Sequence, residues 1–543
     1  MTKRIKFFLI LFTATIVVLL NGCSKDTITK SNQKLVTYNV QTAPKTIDQQ
    51  LGTSLSEAQI DAMCLEGLLV LGPDNGNILP GVAKTWNVSK DGIVWTFNLR
   101  KDSVWSNGDP VTTHDFNFAY KRALEPKTAS QYAYMFYTIK NAQQYNSGKI
   151  KDFSKVGIKV IDDYTFQITL NAPVPYFDQV VTNTVALPLN EKFFNTVKGQ
   201  YALSADKMLY NGAYVIKSYI PNGKYVFEKN PKYWNAKNIK IDNINFLIVG
   251  NYNTAADMFK NGGLSMTAIK ASQIPQFKDS KALHTIPNGG TLYLKFNTKN
   301  KFFKNRNIRL AVAMSINRGI LCNEILKDGA IPAFSFVPPG INGGKVDGKN
   351  ETFRQRYGND LFTFNTNTAK ELYKKGLEEL GHKGSVTVKL LSANDTSSMK
   401  NCQFIQQQIF KNLGMNVVMD PNTFQGEISS LAQKNFEFAY TEWMPDYNDP
   451  ATFLNLWVTN GGQNDTSWSN AQYDKYIKIS ESTGDNTIRM KVMHEAEVLL
   501  MKDMPVTPIF FDVNNTLIQP WLKDVCVMGV ATGLSFNWAY IEK

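Results

Sequence analysis

Apolar and polar residues follow two kinds of spacing along this chain. Short runs rich in β-branched and aromatic residues predict strands at Val36–Val40, Trp95–Leu99, Thr165–Leu170, Tyr214–Tyr219, Asn243–Val249 and Thr291–Phe296. Stretches with helical spacing lie between them and predict helices at Ser56–Leu65, Thr113–Ala123, Asn307–Ile316, Thr368–Glu379 and Ser398–Leu413. The pattern therefore predicts a mixed α/β (or α+β) chain with several mixed sheets.

The first apolar run has a different character. Three basic residues precede Phe7–Leu20, a run of 14 residues that ends at Leu20-Asn21-Gly22-Cys23. This arrangement is typical of a signal peptide, and the run is shorter than the roughly 20 residues of a transmembrane helix. Its end resembles the lipobox of bacterial lipoproteins, which implies removal of residues 1–22 and a diacylglycerol on Cys23. An ordinary cleaved signal that ends near a cysteine is the alternative.

We therefore expect an exported chain, anchored through Cys23 to the outer side of a membrane, extracellular or periplasmic, with the polar segment 25–34 as a linker. The full sequence of 543 residues, 43% of them hydrophobic, suffices for two to four packed domains and excludes a disordered chain. Loss of the signal peptide lowers the net charge from +13 to +10. The basic residues are scattered and form no nucleic-acid motif, so we expect no nucleic-acid partner but attraction to an anionic surface.

The remaining cysteines and histidines give no metal or catalytic pattern. Cys64, Cys322, Cys402 and Cys526 are far apart in sequence, which excludes the usual zinc spacing, and buried thiols are favoured over the three possible disulfide connectivities. The four histidines are also dispersed. Gly343 to Lys349 has the glycine spacing of a phosphate loop, but Asn350 replaces the Ser/Thr that would hold Mg²⁺, which favours a solvent loop. We predict no enzyme, cofactor or metal.

One window contains no basic residue. Between Lys434 and Lys475 lie 40 residues without Lys or Arg, although about four would be expected from the mature composition. The window contains the acids Glu437, Glu442, Asp446, Asp449, Asp465 and Asp474. It also contains the aromatic residues Phe436, Phe438, Tyr440, Trp443, Tyr447, Phe453, Trp457, Trp468 and Tyr473. A carboxylate beside aromatic walls suits a ligand with a positive amine; the alternative is that the aromatics form core and the acids surface.

A series of ordered motifs carries a family resemblance across nearly the whole mature chain. They are Leu65-Glu-Gly-Leu-Leu-Val70, Pro80-Gly-Val-Ala-Lys-Thr-Trp86, Trp95-Thr-Phe-Asn-Leu-Arg100, Val104-Trp-Ser-Asn-Gly-Asp-Pro-Val-Thr112, Ala172-Pro-Val-Pro-Tyr-Phe177, Asn211-Gly-Ala-Tyr214, Asn230-Pro-Lys-Tyr-Trp234, Pro332-Ala-Phe-Ser-Phe-Val-Pro-Pro339, Lys411-Asn-Leu-Gly-Met-Asn-Val417 and Trp443-Met-Pro-Asp446-Tyr-Asn-Asp-Pro450. Together they resemble the oligopeptide-binding lipoproteins of peptide ABC importers, the extracellular solute-binding protein family 5.

The resemblance implies a two-lobed clamp of three domains that closes by hinge motion on an extended peptide. Domain I would comprise 24–65, 191–290 and 527–543, domain II 66–190, and domain III 291–526. It also implies a monomeric receptor whose partners are oligopeptides and the permease and ATPase subunits of the importer.

Individual site residues follow from the same resemblance. Asp446 occupies the position of the acid that binds the peptide's α-amino group. Trp443 and Met444 fall on the adjoining strand-pairing positions, Leu55 on the loop of the opposite lobe, and Tyr132 and Phe424 on aromatic pocket positions, with a core role as the alternative for Phe424.

The positions that hold the peptide C-terminus with basic residues elsewhere in the family read Leu326, Ser398 and Tyr440 here, with Lys327 beside the first. Either Lys327 substitutes, the carboxyl end is left to water, or preferred peptides differ in length. A receptor for nickel, haem or a sugar on the same fold, an exported peptidase, and a sensor or adhesin that kept the clamp are the alternative functions.

Overall fold

The computed structural model describes residues 35–73, 77–346, 349–527, 529 and 533–542. The predicted signal peptide, the lipidated Cys23 and the linker 25–34 lie outside the described residues. Among the described residues, no helix has both the length and the apolar character needed to cross a bilayer.

The described residues form strands throughout the chain, numbered here in chain order. They are β1 Val36–Asn39, β2 Leu69–Leu71, β3 Ile78–Pro80, β4 Ala83–Val88, β5 Val94–Leu99, β6 Ile158–Asp162, β7 Thr165–Thr169, β8 Tyr214–Ile220, β9 Lys224–Lys229, β10 Asn243–Leu247, β11 Met266–Ile269, β12 Leu283–Phe296, β13 Ile331–Pro332, β14 Asn342–Val346, β15 Lys349–Thr352, β16 Thr387–Ala393, β17 Asn416–Asn422, β18 Phe438–Trp443, β19 Val506–Ile518, β20 Leu522–Lys523, β21 Cys526–Val527, β22 Leu534–Ser535 and β23 Tyr540–Ile541.

Helices alternate with these strands. The α-helices are Leu55–Cys64, Thr113–Leu124, Ala142–Asn146, Phe177–Val180, Glu191–Thr196, Tyr252–Lys260, Arg306–Ser315, Arg318–Ile320, Phe353–Tyr357, Thr366–Glu379, Thr396–Leu413, Phe424–Ala432, Ala451–Leu454, Ala471–Ser482 and Asn486–Asp503. A π-helical turn covers Leu321–Leu326, and 3₁₀ turns cover Pro126–Thr128, Ala133–Phe136, Phe153–Lys155, Thr184–Ala186, Ala205–Lys207, Ala236–Asn238, Ala271–Gln276 and Asn455–Trp457.

All the predicted strands and helices are present. Their ends differ by at most two residues, except that β12 begins at Leu283, eight residues before the predicted start. The predicted helix Ser398–Leu413 begins two residues earlier, at Thr396, because Asp395 accepts backbone hydrogen bonds as its N-cap, and Gly414 closes it in the left-handed region with φ 70°. The prediction of a solvent loop around Gly343 was wrong. The strands β14 and β15 pair antiparallel, so this region is a β-hairpin. The glycine spacing in the sequence did not indicate this pairing.

One large mixed sheet dominates the fold. Its strand order is β17-β16-β18-β12-β19-β11-β1-β10-β9-β8, with β13 paired to β19. The long strands β12 and β19 pair antiparallel along most of their length and have a register shift between Pro287 and Thr291. A separate four-stranded antiparallel sheet has the order β4-β5-β7-β6.

The hydrophobic residues divide into separate cores at the two ends of the long strands. The largest core takes residues from the ranges 36–266 and 518–539. Two further cores take residues only from the range 293–510. This division, with β12 and β19 running from one group of cores to the other, gives the fold two lobes.

Several of the motifs noted in the sequence converge on one buried carboxyl group. Asn211 clamps the backbone of Glu66, accepting from its N–H at 3.0 Å and donating to its carbonyl at 2.9 Å. The Tyr233 hydroxyl and the Trp234 indole N–H both donate to the Glu66 carboxylate. Burial raises the pKa of Glu66 to about 7, although these two hydrogen bonds lower it. The motifs around residues 66, 211 and 233 therefore belong to one buried hydrogen-bond network centred on Glu66.

The cysteines are placed as predicted. Cys64, Cys322 and Cys402 are free thiols, and all four described cysteines are buried. Burial raises the pKa of Cys402 to about 12, which keeps that thiol protonated and unreactive.

Candidate functional site

A cavity of about 500 Å³ is enclosed by segments that are far apart in sequence. Its described lining comes from the loop and helix start at 52–59, from Tyr132, from the strands β1, β11 and β19, and from residues 444–446 after β18. Four of the predicted ligand residues, Leu55, Tyr132, Met444 and Asp446, line it together. The remaining two, Trp443 and Phe424, are absent from the lining.

Asp446 is the one charged side chain among the described residues that line this cavity. The residue follows β18, and its backbone N–H donates to the Thr452 hydroxyl at 3.1 Å, which fixes the turn. The Tyr134 hydroxyl donates to Oδ1 of Asp446 at 3.3 Å. Burial raises the pKa of Asp446 above its ordinary value, and the bond from Tyr134 lowers it. A half-buried carboxylate that has no cation beside it in the described part of the chain is suited to hold an ammonium group.

The opposite wall of the cavity is organised by Glu57, which the sequence did not single out. Its carboxylate accepts from the backbone N–H groups of Lys45, Thr53 and Ser54 at 2.7, 2.6 and 2.8 Å. Burial alone would raise the pKa of Glu57, but these hydrogen bonds outweigh it and lower the pKa. The anion thus shapes the loop that presents Leu55, and the capping box with Ser54 begins the helix there. The capping motif formed by Ser54 and Glu57 is the feature of the sequence that could have identified Glu57.

Met444 and Pro445 lie close to two glycines of β12. A Cβ on Gly290 would lie 2.8 Å from the Met444 sulfur, and one on Gly289, whose φ is +79°, would lie 2.8 Å from Cγ of Pro445. Trp443 points elsewhere: it packs against a hydrophobic core, and its buried indole N–H has no hydrogen-bond partner among the described residues. Successive residues of an extended segment face opposite sides, which is why the Trp443 side chain packs on the core while the Met444 side chain lines the cavity.

Phe424 begins the helix Phe424–Ala432 and is 71% exposed. The alternative of a core role for Phe424 is therefore wrong, since the ring contacts mostly solvent. Tyr132 is half-buried, and burial followed by the charge of Asp446 raises its pKa. Its ring stacks on that of Tyr134 with centroids 5.8 Å apart.

Two of the six acids in the basic-free window are paired with cations from outside the window. Lys295 donates to Asp465 at 2.7 Å, and Arg489 donates to Asp449 at 2.7 Å, both in buried ion pairs. Of the aromatic residues in the window, Phe438, Tyr440, Phe453, Trp457, Trp468 and Tyr473 are buried in cores. The interpretation of the whole window as a ligand wall was therefore too broad, and among its acids only Asp446 lines the cavity.

The positions considered for the peptide C-terminus bring no cation to the cavity. None of the described lining residues is Lys, Arg or His. Tyr440 is only 2% exposed, and its hydroxyl accepts from the Asn401 amide at 2.9 Å, so it belongs to the core. Leu326 ends the π-helical turn, exposed Lys327 follows with φ 56°, and Ser398 lies in the first turn of the helix Thr396–Leu413.

A second cavity, of about 480 Å³, is lined by Trp86, Tyr176, Asp178, Asp449 and Arg489 among others. Tyr176 stacks on Tyr447, the neighbour of Asp446, with centroids 4.4 Å apart and rings 6° from parallel. Burial raises the pKa of Asp178 to about 6. The charges of Asp449 and Arg489 compensate each other here, in contrast to the isolated charge in the first cavity.

The lobed cores, the long connecting strands and the cavity with its single charge define a two-lobed solute-binding protein. The chain belongs to the bacterial extracellular solute-binding proteins, family 5, whose model for the middle region matches residues 77–465. It is 33% identical over 513 residues to the oligopeptide-binding protein OppA of Bacillus subtilis, covering 93% of this chain and 92% of the relative.

Solved structures agree in fold. The Listeria monocytogenes OppA bound to peptide has a TM-score of 0.71 and 31% identity, covering 94% of this chain and 100% of that one. The murein tripeptide binding protein MppA in its unliganded open form has a TM-score of 0.82 and 26% identity, covering 94% and 98%. The expected two-lobed mixed α/β class is confirmed.

Proposed function

We propose that this protein is a receptor that binds oligopeptides in extended form between its two lobes and delivers them to a peptide ABC importer. The observation that carries the proposal is the charge of Asp446 in a cavity whose other described lining residues have neutral side chains. An unmodified peptide presents one α-ammonium whatever its sequence, so one carboxylate recognises the feature that all such ligands share. Gln59, Asn288 and Thr516 line the cavity with amide and hydroxyl groups. Such groups can bind water, and water that bridges protein and ligand accommodates peptide side chains of different kinds.

The relatives support the same ligand class. The Bacillus subtilis relative is named an oligopeptide-binding protein, and the Listeria structure contains a peptide. Neither name points to nickel, haem or sugar, the alternatives that share this fold. A receptor role without catalysis also accords with membership of a solute-binding family.

Native mass spectrometry of the protein purified from its host would test the ligand class. A distribution of peptide masses that titrates back onto stripped protein supports the proposal, and isothermal titration with peptides of two to eight residues would give the length preference. One sharp non-peptide adduct, or no binding of any peptide, contradicts it.

Recovery of intact peptide after long incubation would separate a receptor from a peptidase, and size-exclusion chromatography with light scattering would test whether the protein is a monomer.

We also infer that the mature chain is attached to the membrane through lipid on Cys23. The support is the sequence Leu20-Asn21-Gly22-Cys23 after a signal-like run. Two or more acyl chains anchor stably because each buried CH₂ contributes about 0.8 kcal/mol. The substitution Cys23→Ser should abolish incorporation of labelled palmitate and release the protein from the membrane fraction, whereas Cys64→Ser should leave both unchanged. Retention of label in the Cys23→Ser variant contradicts the anchor.

The three-domain division stays a proposal, and the sheet topology supports its domain II. The four-stranded sheet β4-β5-β7-β6 lies wholly within the proposed domain II, residues 66–190. The proposed boundary between 290 and 291 falls within β12, beside the register shift and Gly289. A strand that continues from domain I into domain III is a reasonable hinge, since a bend there moves the lobes without breaking the ladder.

A further inference from the structure

Tyr134 bonds to the ligand-site carboxylate from a distant part of the chain. The residue lies in the 3₁₀ turn Ala133–Phe136, 312 positions before Asp446, and its hydroxyl donates to Oδ1 at 3.3 Å. Its ring is stacked on Tyr132 and remains 44% exposed. Tyr134 lies in the range of the largest core, 36–266, and Asp446 in the range of the two further cores, 293–510, so by this division into two lobes the bond spans the cleft.

The surroundings of Asp446 make this bond significant. Within the described part of the chain, Tyr134 is the side chain that donates to the Asp446 carboxylate, and no Lys, Arg or His forms an ion pair with it. The titratable groups that feel its charge are the phenols of Tyr132, Tyr134 and Tyr447. Burial and that charge raise the pKa of each phenol, so all three stay neutral near pH 7 and do not repel the carboxylate.

We propose that Tyr134 is a positioning residue for amine recognition: its hydroxyl holds Oδ1 of Asp446 across the cleft and so fixes the carboxylate that receives the ligand's ammonium. The inference rests on the proposed function. The bond occupies one lone pair of Oδ1, and the carboxylate keeps three further acceptor sites for the ammonium N–H groups. Because a hydroxyl that donates to a carboxylate favours its ionised form, Tyr134 also counteracts the effect of burial on Asp446.

The selectivity that follows is for a charged N-terminus. Without the hydroxyl, the Asp446 side chain could rotate, and protonation would become easier as the pH falls. Both changes weaken binding of an ammonium, while neither affects an N-acetylated peptide, which brings no charge to Asp446. The effect of Tyr134 therefore depends on the ligand's amine and on pH, which a purely structural role would not produce.

The test compares Tyr134→Phe with Tyr137→Phe as a matched control. The Tyr137 hydroxyl belongs to the same segment but donates to Asn146 at 2.7 Å, away from Asp446. Isothermal titration would use one pentapeptide with a free or an acetylated N-terminus, from about pH 4 to about pH 8. For Tyr134→Phe we expect roughly fivefold weaker binding of the free peptide at pH 7, with little change for the acetylated form. Loss of binding on acidification should begin at a higher pH than in the wild type.

Other outcomes overturn the inference in distinguishable ways. An unchanged affinity and pH profile for Tyr134→Phe refutes it, and an equal loss for free and acetylated peptide assigns Tyr134 a merely structural role. In an Asp446→Asn background, Tyr134→Phe should have no additional effect on the free peptide; a persisting fivefold loss also refutes it. Failure of the wild-type protein to bind any peptide overturns the proposed function itself. Thermal melts of each variant establish that it is folded.

Discussion

The replacement Asp446→Asn tests the amine site most directly. Asparagine has nearly the same size as aspartate, so the change removes the charge and leaves the packing. No basic side chain in the described structure forms an ion pair with Asp446, and the substitution therefore leaves no cation unpaired. The turn should also persist, because the bond to Thr452 uses the backbone N–H of residue 446. We expect the free energy of unfolding to change by less than about 0.5 kcal/mol.

The expected loss of binding energy follows from the geometry. A hydrogen bond to a charged partner contributes about 1.5–3 kcal/mol, and the half-buried position of Asp446 reduces the solvent screening of the pair. Since about 1.4 kcal/mol corresponds to a tenfold change, the wild-type protein should bind a free peptide roughly 10- to 150-fold more tightly than Asp446→Asn does.

The assay is a double cycle by isothermal titration, with wild type and Asp446→Asn each measured against free and N-acetylated forms of one peptide. Acetylation should weaken binding to the wild type by the factor given above and affect the variant little. Asp420→Asn, which removes an exposed acid outside the cavity, is the matched control. Equal binding of both peptides by the wild type, or an equal loss of both in Asp446→Asn, would refute the role of Asp446.

Two further predictions concern the buried hydrogen-bond network at Glu66 and the backbone beside it. Because burial raises the pKa of Glu66 from 4.5 to about 7, the folded state holds its proton longer, and stability present below pH 4.5 is lost as the pH rises towards 7, by up to about 3 kcal/mol. Glu66→Gln should flatten the pH dependence of the urea midpoint in this range; an unchanged slope contradicts the assignment. Gly212→Ala should destabilise the fold by about 1–3 kcal/mol, because its Cβ would lie 2.6 Å from the carbonyl carbon of Cys64. Gly462→Ala, which meets open space, should be near neutral in the same urea titration, and equal effects of the two would contradict the packing argument.

The secondary structure was largely predictable because its causes are local. Hydrophobic spacing, caps and terminating glycines act within a few residues, and the helix Thr396–Leu413 shows this with Asp395 at its start and Gly414 at its end. The position of Asp446 was also accessible from the sequence, through the motif that surrounds it. The long strand β12 was predicted only in its second half, since Pro287 and two glycines interrupt the apolar pattern there.

The partners of charged groups were decided by the tertiary structure. The sequence window around Asp449 and Asp465 shows no basic residue, but Arg489 and Lys295 neutralise these acids from 40 and 170 positions away. Which acids of the window are paired with a cation could not be read from local composition, because a buried charge takes its partner from whichever strand or helix the fold brings beside it.

The same reason separates what the sequence determined about the site from what the fold decided. The sequence by itself determined the elements and marked the turn with Asp446. Only the tertiary structure showed that Leu55 and Tyr132 meet Asp446 in one cavity while Phe424 faces solvent, and that Tyr134 bonds to its carboxylate. Periodicity records which side of an element is buried, but long-range packing chooses the neighbour on that side.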